Sequence, residues 1–279
     1  MSAEAEISKQ AYTYLAELIY RYSRIHLGEH KQQLITSRLR KRRVELRLKN
    51  FDAYCELLSR RKNDDEVALI VDAISTNHTH FFRERAHFDF LMQHALPELE
   101  RRITSTKESI RCWSAASSSG EEVYTIAICF AEFERLNRPI RWDIHGSDIS
   151  YRMLEKAQAA VYEQARLELP SPELLKRYFQ KGSGKFDGFC RVKDILRSRI
   201  TMKRVNLFDA SYPIPADQHL IFCRNVLIYF DKPSQAELIR KLSLQLAPGG
   251  YLFIGHSESL MGITHRLRPL GHGIFMRAK

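Results

Sequence analysis

Residues 110–127 read I-R-C-W-S-A-A-S-S-S-G-E-E-V-Y-T-I-A. A short apolar run from Ile110 to Ala116 opens into a turn of small residues with one glycine, and an amphipathic pattern then runs over 121–136. The short apolar run predicts a strand and the amphipathic pattern a helix, joined by the turn. Further strands and helices follow it. Ile140 to Ser147 predicts a second strand with Asp148 at its C-terminal end, and Ser150 is placed to cap a helix carrying Met153, Leu154, Ala157 and Val161 on one side. His219 to Val226 predicts a strand, and a helix with Pro233 in its first turn carries Leu238, Leu242 and Leu246 until Pro248-Gly249-Gly250 stops it. Tyr251 to Gly255 and Ile274 to Arg277 complete the set. Strands alternating with helices predict an α/β domain with a doubly wound, mainly parallel sheet. Residues 180–204 break the alternation: Gly182, Gly184, Gly188 and the run F-D-G-F-C-R-V predict a small antiparallel excursion.

The N-terminal quarter has helical spacing throughout. Leu15, Leu18, Ile19 and Tyr22 form one stripe, and Val67, Ile70, Val71 and Ile74 another. Between them lie a basic stretch at 31–49, with Ile35, Leu39 and Leu46 on one side, and a short helix around Tyr54, Leu57 and Leu58. At about 100° per residue, Arg40, Arg43 and Arg47 fall within roughly a 60° arc and form a ridge. A segment T-N-H-T-H-F-F-R-E (76–84) leads to a helix with Phe88, Leu91, Met92 and Ala95 in register, ending near Pro97. The expected organisation is a basic helical domain at 1–75, a linker at 76–90 that contributes to the site, and the α/β domain at 91–279.

The chain has 279 residues, with 44% hydrophobic and 28% charged residues, which excludes a disordered or low-complexity architecture. Its 44 Lys+Arg against 33 Asp+Glu give a formal charge of +11. Between Arg21 and Lys62 stand 13 basic residues, with only Glu29, Glu45, Asp52 and Glu56 against them, so nearly all the surplus is local. A concentrated surplus points to an anionic partner, either nucleic acid or an acidic protein surface, beside the plainer reading of a solvated helix face. Apolar runs such as Tyr124 to Ala131 are far shorter than the roughly 18–20 residues of a membrane span. The opening M-S-A-E-A-E does not resemble a secretory signal. Cys55, Cys112, Cys129, Cys190 and Cys223 show no C-x-x-C spacing and are expected to be reduced thiols of a cytoplasmic protein.

Open α/β sheets bind ligands beyond the C-terminal ends of their strands. The turn at 115–122 lacks the G-x-G-x-x-G of dinucleotide binders and the Walker lysine. Glu121 and Glu122 at a helix start would oppose a pyrophosphate and suit a cation. Asp148 is placed to accept hydrogen bonds from ribose hydroxyls, or, more plainly, to cap a helix. Together these features describe S-adenosylmethionine, a sulfonium, better than NAD.

Four segments resemble the chemotaxis receptor methyltransferases, the CheR family: W-S-A-A-S-S-S-G-E-E-V-Y-T-I-A (113–127), T-N-H-T-H-F-F-R-E (76–84), F-C-R-N-V-L-I-Y-F-D (222–231) and L-A-P-G-G-Y-L-F-I-G-H-S-E (246–258). The resemblance covers nearly the whole chain. Val123 and Thr125 depart from the Pro and Ser frequent in the family, and His78 and His80 fill variable places. The resemblance implies a class I, Rossmann-like S-adenosylmethionine-dependent methyltransferase. It would hold the cofactor through Asn77, Thr79, Arg83, Glu122, Asp148, Asn206, Leu207, Arg224 and Asn225, with Arg83 and Tyr229 acting in catalysis. Plainer readings stand beside these: Asn77 and Thr79 as helix caps, Arg83 in an ion pair with Glu84 or Glu100, Tyr229 as a core aromatic, and Leu207 as packing.

The reaction implied is methylation of glutamate side chains on cytoplasmic helices of chemoreceptors, giving methyl esters. A free glutamate has a pKa near about 4.3, so its carboxylate is already nucleophilic at neutral pH. The enzyme must align it in line with the methyl and sulfur and exclude water. Arg83 would orient that carboxylate, Tyr229 would position a reactant, and Arg38, Arg40, Arg43 and Arg47 would dock the acidic helices. No metal is expected, because His78-x-His80 alone is a poor ligand set. The excursion at 180–204 corresponds to a β-subdomain that binds a receptor C-terminal pentapeptide in some members. The expected protein is a cytoplasmic monomer recruited to receptor arrays, with no nucleic acid partner and no membrane insertion. The rival reading is an RNA methyltransferase whose basic helices bind nucleic acid. Against it, the 38–49 helix has no interleaved aromatics and the chain no D/N-P-P-Y motif.

Overall fold

The computed structural model describes residues 7–28, 30–60, 64–103 and 108–278. Contacts divide the chain into two compact units, Met1–Thr76 with Tyr229–Ser234, and Asn77–Ile228 with Gln235–Lys279.

The first unit is helical: α1 (Lys9–Ser23), α2 (Gln32–Glu45), α3 (Phe51–Arg60) and α4 (Asp64–Ile74). Ser8 starts α1, its Oγ accepting the Ala11 N–H, and Arg24 ends it in the left-handed region. Leu15 and Ile19, Ile35 and Leu39, Tyr54, and Ile70 and Val71 are fully buried and bring the four apolar stripes together. A buried carboxylate ties three helices: Glu66 of α4 accepts from Arg42 Nε of α2 at 2.9 Å and from Tyr54 Oη of α3 at 2.5 Å. The Arg42 hydrogen bonds hold Glu66 below the ordinary carboxylate range despite its burial. One cation of the basic stretch is therefore neutralised inside the bundle. The late segment joins between a 3-10 turn (Leu227–Tyr229) and the start of a helix at Lys232: Phe230 bridges Ile25, the Tyr229 carbonyl accepts the His26 N–H at 2.8 Å, and Tyr20 Oη donates to Asp231 at 2.8 Å.

The basic ridge differs from the helical projection. Helix α2 ends at Glu45, and Arg47 lies beyond it in the left-handed region at φ 55°. Arg43 is half-buried, donating to the Lys49 carbonyl at 2.8 Å and lying 5.5 Å over the Phe51 ring. Arg38 and Arg40 are exposed. Arg61 and Lys62 of the basic stretch lie outside the described residues.

The second unit opens with one continuous helical run, α5 (Ala86–Phe90), a π turn (Leu91–Ala95) and α6 (Leu96–Ile103). The helix does not stop at Pro97. The Leu96 N–H reaches back to the Leu91 carbonyl, one residue further than in an α-helix, and the wider turn absorbs the proline. The remaining elements are β1 (Ile110–Ala115), α7 (Glu121–Leu136), β2 (Trp142–Asp148), α8 (Tyr151–Ala159), β3 (Val161–Glu163), α9 (Pro172–Tyr178), β4 (Phe179–Lys181), β5 (Phe189–Val192), α10 (Asp194–Arg197), β6 (Ile200–Arg204), β7 (Gln218–Phe222), α11 (Lys232–Gln245), β8 (Leu246–Phe253), β9 (Leu267–Gly271) and β10 (Ile274–Arg277).

Seven strands form one sheet in the order β6-β2-β1-β7-β8-β10-β9. The first five are mutually parallel, β10 runs antiparallel to β8, and β9 runs antiparallel to β10. The order reverses at β1, which lies between β2 and β7 and is the first strand of the alternation. Crossovers there leave opposite sides of the sheet, so a crevice opens at the C-terminal end of β1.

The other sheet has the order β3-β5-β4 and is antiparallel. Its bounds differ from the expected 180–204. It takes in Val161–Glu163, while Ile200–Arg204 pairs in the large sheet as β6. Val161 is therefore not on the helix before it: Ala160 turns left-handed at φ 54° and ends α8. The strand expected over 219–226 stops at Phe222, and the chain turns left-handed at Asn225 (φ 58°), which keeps Val226 out of it. Pro248-Gly249-Gly250 lies inside β8, where the register against β7 shifts, and Leu246 already belongs to that strand.

Candidate active site

Three peptides meet beyond the ends of β1, β2 and β7. The turn after β1 winds through left-handed Ala116 (φ 60°), Ser118 (φ 50°) and Gly120 (φ 96°). Small side chains make such a path tolerable, and its N–H groups tie it down: Ser117 donates to the Ser147 carbonyl at 2.8 Å and Gly120 to the Ser117 carbonyl at 3.1 Å. Gly120 has a packing reason of its own, since a Cβ there would stand 2.9 Å from the Ala157 Cβ. The buried Asp148 at the end of β2 accepts the Ser118 N–H at 2.8 Å and the Ser150 N–H at 2.9 Å. It thus fixes both the turn and the residue that starts α8, while the cap itself is Ser150, whose Oγ accepts the Met153 N–H at 3.1 Å. Ser118 Oγ donates to the Asn77 carbonyl at 3.1 Å, which ties in the 76–84 segment.

That segment carries strain at both neighbours of Arg83. Phe82 (φ 55°) and Glu84 (φ 58°) are left-handed, a rare state for a bulky side chain. The strain is held by packing and hydrogen bonds. Phe81 is buried edge-on against Tyr162 and Phe179 of the small sheet, and the Phe82 N–H donates to Thr125 Oγ1 at 3.2 Å. Thr125, a departure from the family pattern, thus links α7 to the motif.

Arg224, just past β7, is the hub, with a side chain 1% exposed. Its Nη1 donates to Glu122 at 3.0 Å, and its Nη2 to Glu84 at 3.0 Å and to the Arg83 carbonyl. The guanidinium lies 5.2 Å over Phe88, which stacks on Phe222 and, through it, on Phe253. Asn225 Nδ2 completes the cluster, donating to the other Glu84 oxygen at 3.0 Å. Burial works to raise the Glu84 pKa, but the bonds from Asn225 and the charge of Arg224 outweigh it and bring it to about 2. Glu122 goes the other way: burial raises it despite Arg224 and the Ser114 hydroxyl.

The structure brings Asn77, Glu122, Asp148, Arg224 and Asn225 into this crevice network. Asn77 Nδ2 is buried without a hydrogen-bond partner, a donor that a bound ligand would satisfy. Thr79 is half-buried in the irregular stretch that follows it. Asn206 and the buried Leu207 lie in the loop after β6, where the Asn206 Oδ1 accepts the Phe208 N–H at 3.1 Å and the Leu207 carbonyl accepts from Tyr212 Oη at 2.5 Å. Arg83 pairs with neither carboxylate considered for it: Glu84 pairs with Arg224 and Glu100 with Arg138. Its Nη1 donates to the His78 carbonyl at 2.8 Å. Tyr229 falls in the helical unit.

Two participants had no role assigned from the sequence, Glu84 and Glu258. Each closes a quoted motif, R-E and H-S-E, and that position was the only available signal. Cys223, just past β7, is fully buried, and burial pushes its thiol well above the ordinary value, which does not suit it to serve as a nucleophile. Among the described residues, Glu84, His87 and His256 have donor atoms within 4.8 Å of one another. Both Glu84 oxygens already accept hydrogen bonds, one from Arg224 and the other from Asn225.

A sheet of this order, with its last strand inserted antiparallel, a small-residue turn after the first strand and an acid ending the second, defines the class I S-adenosylmethionine-dependent methyltransferases. The chain belongs to the CheR family. The CheR methyltransferase SAM binding domain matches residues 77–275, and the CheR methyltransferase all-alpha domain matches residues 10–75. Chemotaxis protein methyltransferase of Salmonella typhimurium is 36% identical over 100% of this chain and 94% of that protein. Chemotaxis protein methyltransferase 2 of Pseudomonas aeruginosa is 39% identical over 99% of this chain and 95% of its own.

Proposed function

We propose that the protein transfers the methyl group of S-adenosylmethionine to glutamate carboxylates on the helices of chemoreceptors, forming methyl esters. The observation that carries this reading is the buried Asp148 beside the small-residue turn, in a chain that the CheR family matches from its basic helices onward. Asp148, Asn206 and Leu207 would hold the adenosine part, and Asn77, Thr79, Arg83, Glu122, Arg224 and Asn225 the methionine part. The cofactor supplies an electrophilic methyl on a sulfonium, which the acidic surroundings of Glu84 and Glu122 tolerate.

Arg83 would orient the substrate carboxylate. Among the described residues no carboxylate pairs with it, and most of its five N–H donors are uncommitted. Arg224, by contrast, is already engaged by two carboxylates. Tyr229 would position one of the reactants. Arg38, Arg40, Arg43 and Arg47 would guide an acidic helix bundle to the helical unit. The small sheet has β3 and β4 as its edges, and either could accept a receptor C-terminal pentapeptide as an added strand. The protein would act as a cytoplasmic monomer recruited to receptor arrays. No described helix is long and apolar enough to cross a membrane.

The test is transfer of labelled methyl from S-adenosylmethionine into receptor-bearing membranes and, in parallel, into RNA. Base-labile label in the receptor is expected. Label in RNA alone would overturn the reading.

A further inference from the structure

We propose that Glu258, which closes the G-H-S-E sequence after β8, is a positioning residue that fixes the methionine end of the cofactor site through the backbone of Asn225. The proposal rests on the methyl-transfer reading above.

The Glu258 carboxylate is buried, and its hydrogen-bond donors are backbone amides: Gly255 at 2.6 Å, Asn225 at 2.9 Å and Ile228 at 3.4 Å. These amides come from two separate peptides, the end of β8 and the turn after β7. The carboxylate is therefore a clasp between neighbouring strands and goes beyond a local cap. Gly255 is part of the same device. A Cβ there would stand 2.5 Å from Asn225 Nδ2, 2.9 Å from the Glu258 carboxylate and 3.0 Å from the Asn225 nitrogen. Only a residue without a side chain lets the two peptides approach this closely.

What the clasp holds is the left-handed backbone of Asn225 (φ 58°). That conformation lies three residues past β7 and turns two consecutive side chains onto one carboxylate. Arg224 takes one Glu84 oxygen and Asn225 the other, both at 3.0 Å. If Asn225 relaxed toward the extended region preferred by most residues, these two bonds could not both persist. Glu258 touches neither reactant. It acts by deciding where Arg224 and Asn225 stand.

The experiment compares the unsubstituted protein with E258Q and G255A. The glutamine keeps the shape but puts an NH₂ against backbone donors. The alanine keeps the carboxylate and pushes on Asn225 from the other side. Calorimetry with S-adenosylhomocysteine should give binding at least tenfold weaker for both. Methylation kinetics should raise KM for S-adenosylmethionine by a similar factor, while kcat at saturation changes less than threefold. A residue that only stabilises the fold would lower the melting temperature and leave the affinity of the folded protein unchanged. Binding within twofold of the unsubstituted protein in both variants overturns the proposal, and so does failure of both to fold. Failure of the unsubstituted protein to bind S-adenosylhomocysteine would instead overturn the methyl-transfer reading.

Discussion

Arg224 stands between Glu122 and Glu84, 3.0 Å from each, in a place almost closed to solvent. A cation so placed is balanced only while both partners remain. Arg224→Ala should destabilise the second unit by about 3–5 kcal/mol, because two buried carboxylates lose their counter-charge. It should also abolish measurable binding of S-adenosylhomocysteine. Urea unfolding and calorimetry check the two effects separately. Arg224→Lys should recover part of the stability and little of the binding, since one ammonium cannot reproduce the fork that spans both acids.

Arg83 carries the opposite expectation. Its guanidinium is anchored to a carbonyl and has no carboxylate partner among the described residues. Arg83→Ala should leave the melting temperature within a few degrees and lower kcat for receptor methylation at least tenfold. Arg83→Lys should restore less than half of the lost rate. Turnover near that of the unsubstituted protein in the alanine variant would remove Arg83 from the reaction.

Charge reversal on the helical unit should separate docking from chemistry. The triple variant R38E/R40E/R47E spares Arg43, which is engaged with Lys49 and Phe51. It should slow receptor methylation tenfold or more at low salt and flatten its dependence on ionic strength, with affinity for S-adenosylhomocysteine within twofold. Equal loss of cofactor affinity would assign these arginines to stability.

Two buried histidines set an acid limit. Burial, reinforced by Arg224, lowers His87 to about 4, and burial with Arg111 and Arg102 does the same for His219. His219 Nδ1 accepts the Arg111 N–H at 3.0 Å, which requires that nitrogen to be unprotonated. Both residues titrate near about 6.5 when unfolded. Between about 6.5 and 4 the unfolded chain binds protons that the folded chain refuses. Stability is therefore present above pH 6.5 and is lost as pH falls toward 4, on the order of 2 kcal/mol for each histidine. Urea midpoints at pH 8 and pH 5 measure the loss. His219→Asn, which offers an acceptor but does not titrate, should show less of it.

Much of this organisation could be read from the chain alone because it rests on local signals. The 110–127 stretch passes from a short apolar run to an amphipathic pattern where strand gives way to helix, and Ser150 caps α8 through its side chain. The misses share a different cause. Val161 and Ile200–Arg204 were misplaced because strand membership depends on pairing partners far away in sequence. Pro97 reads as a stop because a π turn leaves no compositional mark. Arg43 and Arg47 were projected onto one ridge because a left-handed residue after a helix cannot be anticipated without a glycine there. At the site, Glu122 and Arg224 stand in recognisable motifs, and Asp148 is marked by its place at the end of a predicted strand. Glu84 and Glu258 act through tertiary hydrogen bonds, which no spacing rule encodes.

The helical unit is assembled from two stretches, Met1–Thr76 and Tyr229–Ser234, and the second brings the extended partner of Ile25 and the acceptor for Tyr20. During synthesis the ribosome must add more than a hundred intervening residues before that piece emerges, a delay of roughly 10–30 s. Until then the nascent bundle waits with one edge unfinished. Cutting the gene at the end of α4 would make that transient state permanent, and the severed downstream fragment would carry an orphaned six-residue strap.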